Sequence, residues 1–479
     1  MENRWTLVMD KYDGSMALDT LYGAIASQVR YTLPVQLLEV VDLKEQGNVI
    51  LAGYGERIKA ACSALVEIPQ KAEGYGIFVG DNPFCPEKQI IAIVGYDEAG
   101  FLYGCMDFCN RYLGDIVYTG RYLWMDVTYD DIFYRPLPHW SCSTAPAIGT
   151  RAIWTWGHVI YDYRGFLENM ARLRLNEIVI WNDVVPINAK EVVDYAHKLH
   201  IKVIWGFAWG WDNRCKDILT DYDDSTRAAI KQQVLDTYNS QYAHTGCDGI
   251  YFQSFTELTD ENVGGKCVAQ LVTALVNEVG EELLAQHPGL HIQFGLHATS
   301  VRNQLEIIRQ VDKRVHIVWE DCGSFPYEYY ADRVADFEDT LAFTQKTLVL
   351  RGEEEKWGCV LKGMLNLDWF DEFEHFTAPY ILGHRTSAYM RHRLEKKNRI
   401  WKLQQAHWLE NAEYVRRTVE AIAQGKDAIV QALVEDGMFE NKIMLPVALY
   451  AEMLWDHSVN TGAMIARVSK YPCVEFANI

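Results

Sequence analysis

Between residues 180 and 385, acidic side chains recur beside aromatic ones, each time just after a short apolar run. The stretches are Trp181-Asn182-Asp183, Trp209-Gly210-Trp211-Asp212, Ser254-Phe255-Thr256-Glu257, His297, Trp319-Glu320-Asp321, Asn366-Leu367-Asp368-Trp369 and His384. Two carboxyl groups facing one cleft can share acid–base work, one protonated as acid and the other ionised as nucleophile or base. Crowding several carboxyls raises the pKa of some, which keeps an acid protonated near neutral pH. Flat aromatic rings suit the CH-rich faces of sugars, while Asn, Asp and His bond the hydroxyls. The chemistry that fits this collection is hydrolysis of a glycosidic bond.

The residues divide by role. Glu257 follows apolar and small residues, where a carboxylate is costly without a role or a partner, and it is the expected general acid. The second carboxyl is expected from Glu320 or Asp321, of which only one can enter the cleft, because neighbours in an extended stretch point opposite ways. Asp368 is the further candidate, set in an acidic stretch with Asp371, Glu372 and Glu374 that also reads as a solvated loop. Asp183, Asp212 and His297 are expected to bind hydroxyls, and Trp181, Trp209, Trp211, Trp319 and Trp369 to line the cleft. Trp401 and Trp408 are expected to pack between helices, and Arg351 reads as part of a charged loop. No HxH or HExxH spacing makes His297 and His384 a metal pair. No dinucleotide-type glycine motif, phosphate loop or GxSxG elbow is present, and no cofactor is expected.

The elements that must position these residues alternate. Apolar runs at 139–143, 177–181, 202–207, 248–253, 291–296, 315–319, 359–365 and 380–383 read as strands, separated by amphipathic helices such as 163–173, 189–199, 224–242 and 261–286. Nearly continuous apolar strands imply a parallel sheet covered on both faces. Eight of them over about 245 residues is the size of a (β/α)8 barrel, whose active site lies at the C-terminal strand ends; a doubly wound sheet is the alternative. Before the barrel, strands at 5–9, 35–41, 48–52, 75–79 and 89–94 and helices at 15–30 and 97–113 make a small α+β domain. After His384, 386–424, 426–435 and 442–468 read as helices. The fold class expected is therefore α/β, a (β/α)8 TIM barrel (135–385) between an α/β accessory domain (1–134) and a helical C-terminal region (386–479).

Composition narrows the partners. The 479 residues carry 45 Lys and Arg against 65 Asp and Glu, a net charge of −20, which disfavours nucleic acid and anionic membrane surfaces. With 49% hydrophobic and 23% charged residues the chain is an ordinary globular protein. No apolar run is long enough to span a membrane, and Met1 to Tyr12 does not read as a signal peptide. Eleven cysteines without CxxC pairs suggest a reduced, cytoplasmic protein. The 15 Trp, 27 Tyr and 18 Phe fit either a large core or a sugar-stacking cleft. The helical C-terminal region leaves room for a homo-oligomer interface.

Two stretches carry a family resemblance. Val94-Gly95-Tyr96-Asp97-Glu98-Ala99-Gly100-Phe101-Leu102-Tyr103-Gly104 resembles the end of the α/β domain that precedes the barrel in family 20 hexosaminidases and family 67 α-glucuronidases. Arg164-Gly165-Phe166 through Trp181-Asn182-Asp183 resembles the first helix and second strand of the same enzymes. Together they cover about the first 185 residues, and the rest is similar in layout. The resemblance implies a (β/α)8 glycosidase with its acid at the end of strand four, where Glu257 stands. Family 20 carries an Asp-Glu pair there, the Asp orienting the substrate's acetamido group. Thr256 replaces that Asp, which speaks against substrate-assisted chemistry. Glu320 or Asp368 would fit the later-strand carboxylates of the α-glucuronidases. The expected substrate is a carbohydrate. The rivals are a non-catalytic carbohydrate-binding protein on the same scaffold and, less favoured, a metal-dependent barrel hydrolase.

Overall fold

The computed structural model describes the chain except residues 1–3, 30, 114–132, 134, 183, 211–214, 321–334, 362–377, 435–438, 472 and 477–479. Its first part is a six-stranded sheet in the order β2-β1-β3-β5-β4-β6. The strands are β1 (Trp5–Met9), β2 (Val35–Leu37), β3 (Asn48–Gly53), β4 (Tyr75–Asp81), β5 (Gln89–Gly95) and β6 (Trp140–Thr144). Helices α1 (Met16–Gln28) and α2 (Glu98–Tyr112) pack together beside it. Asp97 caps α2 by accepting from the Gly100 N–H, which starts the helix where the helical spacing of 97–113 predicts it.

Eight parallel strands then close a barrel in the order β10-β11-β12-β13-β14-β7-β8-β9. They are β7 (Thr150–Trp156), β8 (Glu177–Trp181), β9 (Lys202–Gly206), β10 (Gly249–Gln253), β11 (His291–Leu296), β12 (Val315–Trp319), β13 (Trp357–Leu361) and β14 (Ile429–Leu433). The (β/α)8 expectation holds, with corrections at both ends. The segment expected as the first barrel strand is β6, an edge strand paired antiparallel with β4. The true first strand, Thr-Arg-Ala-Ile-Trp-Thr-Trp, interrupts its apolar residues with Arg151 and Thr155, which hides it from a search for continuous runs. The eighth strand is not at 380–383, where only an isolated bridge joins His384 to Asp162. It is β14, inside the region expected to be helical, because five residues, apolar but for Gln431, suit a strand or a helix equally. The helix Ser387–Ile422 therefore belongs to the barrel's seventh connection, and the barrel reaches past residue 385.

Under the N-terminal strand ends, charged pairs join the sheet to the barrel. Arg151, fully buried, donates to Glu73 at 2.7 Å and to the Arg174 carbonyl at 2.8 Å. Arg174 in turn donates to Glu452 at 2.6 Å and to the Tyr75 hydroxyl at 3.1 Å. No described helix is long and apolar enough to cross a membrane.

Candidate active site at the barrel mouth

Strand alternation decides which side chains enter the barrel. Trp154 and Trp156 of β7, Trp181 of β8 and Tyr251 of β10 point inward and form one buried cluster. Trp154 meets Trp156 edge-on at 4.8 Å and lies nearly parallel to Trp181 at 6.0 Å, with Tyr251 edge-on at 5.8 Å. Glycine at inward positions makes the room. A Cβ on Gly206 would sit 2.7 Å from the Trp181 ring. A Cβ on Gly295 would sit 2.5 Å from Glu320 Oε1 and overlap the Tyr251 hydroxyl.

Three neighbouring strands, β10, β11 and β12, supply the polar side chains. Glu257 stands on a single 3-10 turn just after β10, with Phe255 and Thr256 of the turn buried. The turn is tied down because Thr256 Oγ1 accepts from the His297 backbone N–H at 3.3 Å and the Ser300 hydroxyl donates to the Thr256 carbonyl at 2.9 Å. His297 and Glu320 are the first residues past β11 and β12. His297 Nε2 lies 3.0 Å from Glu257 Oε1 and 2.7 Å from Glu320 Oε2. Glu320 Oε1 accepts from the Tyr251 hydroxyl at 2.5 Å and from Gln253 Nε2 at 2.8 Å. Burial, and then the neighbouring Glu320 charge, hold the Tyr251 phenol well above its ordinary pKa, so it stays a donor. The Glu320 side chain is 5% exposed and that of Glu257 28%. Both Glu320 oxygens are thus engaged, while Glu257 faces the opening. One donor atom from each of Glu257, His297 and Glu320 lies within 4.8 Å of the others, close enough to share an ion. Beside Trp181, Asn182 Oδ1 accepts from the Tyr380 hydroxyl, joining the loop after β8 to the segment before the 387–422 helix.

The structure brings Glu257, His297 and Glu320 together and sets Trp181 in the aromatic cluster. His297, expected on substrate hydroxyls, instead lies between two carboxylates. Trp209 and Trp319 do not line the cleft. Trp319 points outward at 1% exposure and packs edge-on to Phe343, because its neighbour Glu320 takes the inward position. Trp209 is fully buried against the outward Phe252, ring on ring at 3.5 Å. Asp183, Trp211, Asp212, Asp321, Asp368 and Trp369 lie outside the described residues. Arg351 is not in a solvated loop: it is buried and forks onto Glu355 at 2.8 Å. The sequence reading missed Trp154, Trp156, Tyr251, Gln253 and Tyr380. Counting back by twos from the strand-four end would have found Tyr251 and Gln253.

No family model matches the sequence, and no curated protein matches it. Solved structures do match in fold. The GH20 β-N-acetylhexosaminidase of Streptomyces coelicolor superposes with a TM-score of 0.51 at 12% identity, over 97% of this chain and 91% of that one. The GH20 exo-β-N-acetylglucosaminidase of Vibrio harveyi, solved with N-acetylglucosamine, gives 0.51 at 10% identity, over 98% and 73%. CpGH84D gives 0.43 at 12% identity over 75% of this chain; the chain spans 57% of that structure, and so loose a superposition supports nothing further. The chain has the fold of the family 20 hexosaminidases, a TIM barrel behind an N-terminal α/β region.

Proposed function

We propose that the chain is a glycoside hydrolase that cleaves the glycosidic bond of an oligosaccharide or glycoside, with Glu257 as general acid. The observation that carries this reading is the run Glu257–His297–Glu320 at the barrel mouth, beside the Trp154, Trp156 and Trp181 rings. Glu257 donates its proton to the leaving oxygen as the sugar C–O bond breaks, and takes one back from the water that completes hydrolysis. Glu320, with both oxygens engaged, is a positioning residue that holds the imidazole against Glu257. Because alternation admits only one of Glu320 and Asp321 and Glu320 is the inward one, the partner carboxylate of a two-carboxylate mechanism is assigned to Asp368. Indole faces stack on the sugar, and Asn182 with Tyr380 meets its hydroxyls. The reading keeps a cytoplasmic setting, supported by buried cysteines that stay as thiols, such as Cys62 and Cys359.

The test is a panel of aryl glycosides with wild type and Glu257→Gln. Wild type turns over at least one, and the variant loses about 10²–10⁴-fold in kcat/KM. The loss shrinks as the leaving group becomes more acidic, since such groups need no proton. Equal losses across leaving groups would remove Glu257 as the acid. A wild type that binds sugars and cleaves none would leave a carbohydrate-binding protein.

A further inference from the structure

The three mouth side chains form a donor set of mixed chemistry, one imidazole nitrogen and two carboxylate oxygens. Tetrahedral Zn²⁺ places its nitrogen and oxygen ligands about 2.0–2.2 Å away, so neighbouring donors stand about 3.3–3.6 Å apart. His297 Nε2 already lies 3.0 Å from Glu257 Oε1 and 2.7 Å from Glu320 Oε2, with all three donors inside 4.8 Å. Opening the two imidazole–carboxylate contacts by about half an ångström brings both to that spacing. The donors sit at the ends of three adjacent strands rather than on long loops, which fixes their spacing. Glu320 is also oriented from behind by Tyr251 and Gln253, as ligating carboxylates are in metal sites. The exposed side of Glu257 leaves a position for water. A nitrogen donor among only three ligands suits Zn²⁺ and not Mg²⁺, which prefers six oxygens.

We propose that Glu257, His297 and Glu320 bind a divalent transition-metal ion, and that the bound ion ties up the Glu257 carboxylate and silences the hydrolase. The silencing rests on the function proposed above; the binding does not. Zn²⁺ is titrated into the full chain in competition with a chromophoric chelator, alongside Glu257→Gln and His297→Ala, and the titration is repeated with Mg²⁺. One equivalent of Zn²⁺ binds wild type, at least about 100-fold more weakly to each variant, with Mg²⁺ weaker by a similar factor. The variants separate this site from Zn²⁺ held on cysteine thiols elsewhere in the chain, and Glu257→Gln, at an exposed position, leaves folding intact. Equal Zn²⁺ binding by all three proteins, or none by wild type, overturns the site. Turnover of an aryl glycoside is then followed with one equivalent of Zn²⁺ and after EDTA. Inhibition that EDTA reverses supports the proposal. Bound Zn²⁺ with turnover unchanged keeps the site and removes Glu257 as the acid. Zn²⁺-dependent activation overturns the silencing in favour of a metal-dependent hydrolase.

Discussion

The two ends of the barrel treat carboxylates differently. Around the N-terminal strand ends three glutamates meet guanidiniums, Glu73 with Arg151 at 2.7 Å, Glu452 with Arg174 and Arg467 at 2.6 Å each, and Glu355 with Arg351 at 2.8 Å, while Asp248 meets His197 at 2.9 Å. At the C-terminal ends Glu257 and Glu320 share one imidazole, that of His297. The contrast is one of proton chemistry. A guanidinium keeps its charge at every accessible pH, so its pairs are fixed struts. An imidazole changes charge near neutral pH and can pass a proton along. The guanidinium pairs hold the accessory sheet and the C-terminal helices to the barrel; the shared imidazole serves the reaction under the proposed function.

The sharpest way to break this contrast is to remove a strut. Arg174→Met leaves Glu452 buried with Arg467 and the Tyr471 hydroxyl as its remaining partners. The expected loss is about 3–5 kcal/mol of unfolding free energy by urea titration, with activity per folded molecule unchanged. A stability change near zero with activity lost would put Arg174 on the functional side. A smaller effect concerns Glu177, fully buried on β8, whose Oε1 accepts from Gln293 at 2.8 Å; Gln293 Oε1 in turn accepts from Gln431 at 2.6 Å. Burial raises the Glu177 carboxyl from 4.5 to about 7. Its folded pKa lies above the unfolded one, so its contribution is full below about pH 4.5 and is lost as pH rises through 7. At about 1.4 kcal/mol per unit the loss amounts to about 3 kcal/mol. Glu177→Gln keeps the acceptor without the charge, and is expected to be more stable than wild type at pH 8 and equal to it at pH 4.5. Glu440 is also raised to about 7 by burial, so the two proteins are compared at each pH by thermal melting. An advantage that stays constant with pH would show that Glu177 does not titrate on unfolding.

Legibility in the sequence followed local pattern. β8, β11 and β12 are readable residue for residue because each is a short, mostly apolar run between turns, broken only by Glu177, His291, Gln293 and His316. The same alternation that limits Glu320 and Asp321 to one inward carboxyl turns Trp319 outward, so a tryptophan beside an inward glutamate does not line the cleft. β7 and β14 were lost for opposite reasons, one broken by Arg151 and Thr155 and the other too short to show a period. With β7 went Trp154 and Trp156, half of the aromatic cluster. The contacts that bring His297 to both glutamates depend on the neighbouring order of β10, β11 and β12, with members 23 residues or more apart in sequence. Pairings at that range have no local signature.

The outward tryptophan supplies the smallest and most discriminating test. Trp181 and Trp319 are both buried at strand ends, one pointing into the barrel and one out toward Phe343. Substituting each by Phe removes a similar volume, at about 1–2 kcal/mol, a fraction of the usual cost of Trp→Ala. Only the inward ring touches a bound sugar under the proposed function. Trp181→Phe is therefore expected to raise KM about 10-fold, equivalent to about 1.4 kcal/mol of binding, with kcat changed less. Trp319→Phe is expected to lower the unfolding midpoint by a similar amount and leave KM alone. The two variants separate packing from recognition because their stability costs match while their kinetic costs differ. If both raised KM equally, the inward–outward distinction would have no functional content, and the mouth's aromatic cluster would be core like the rest.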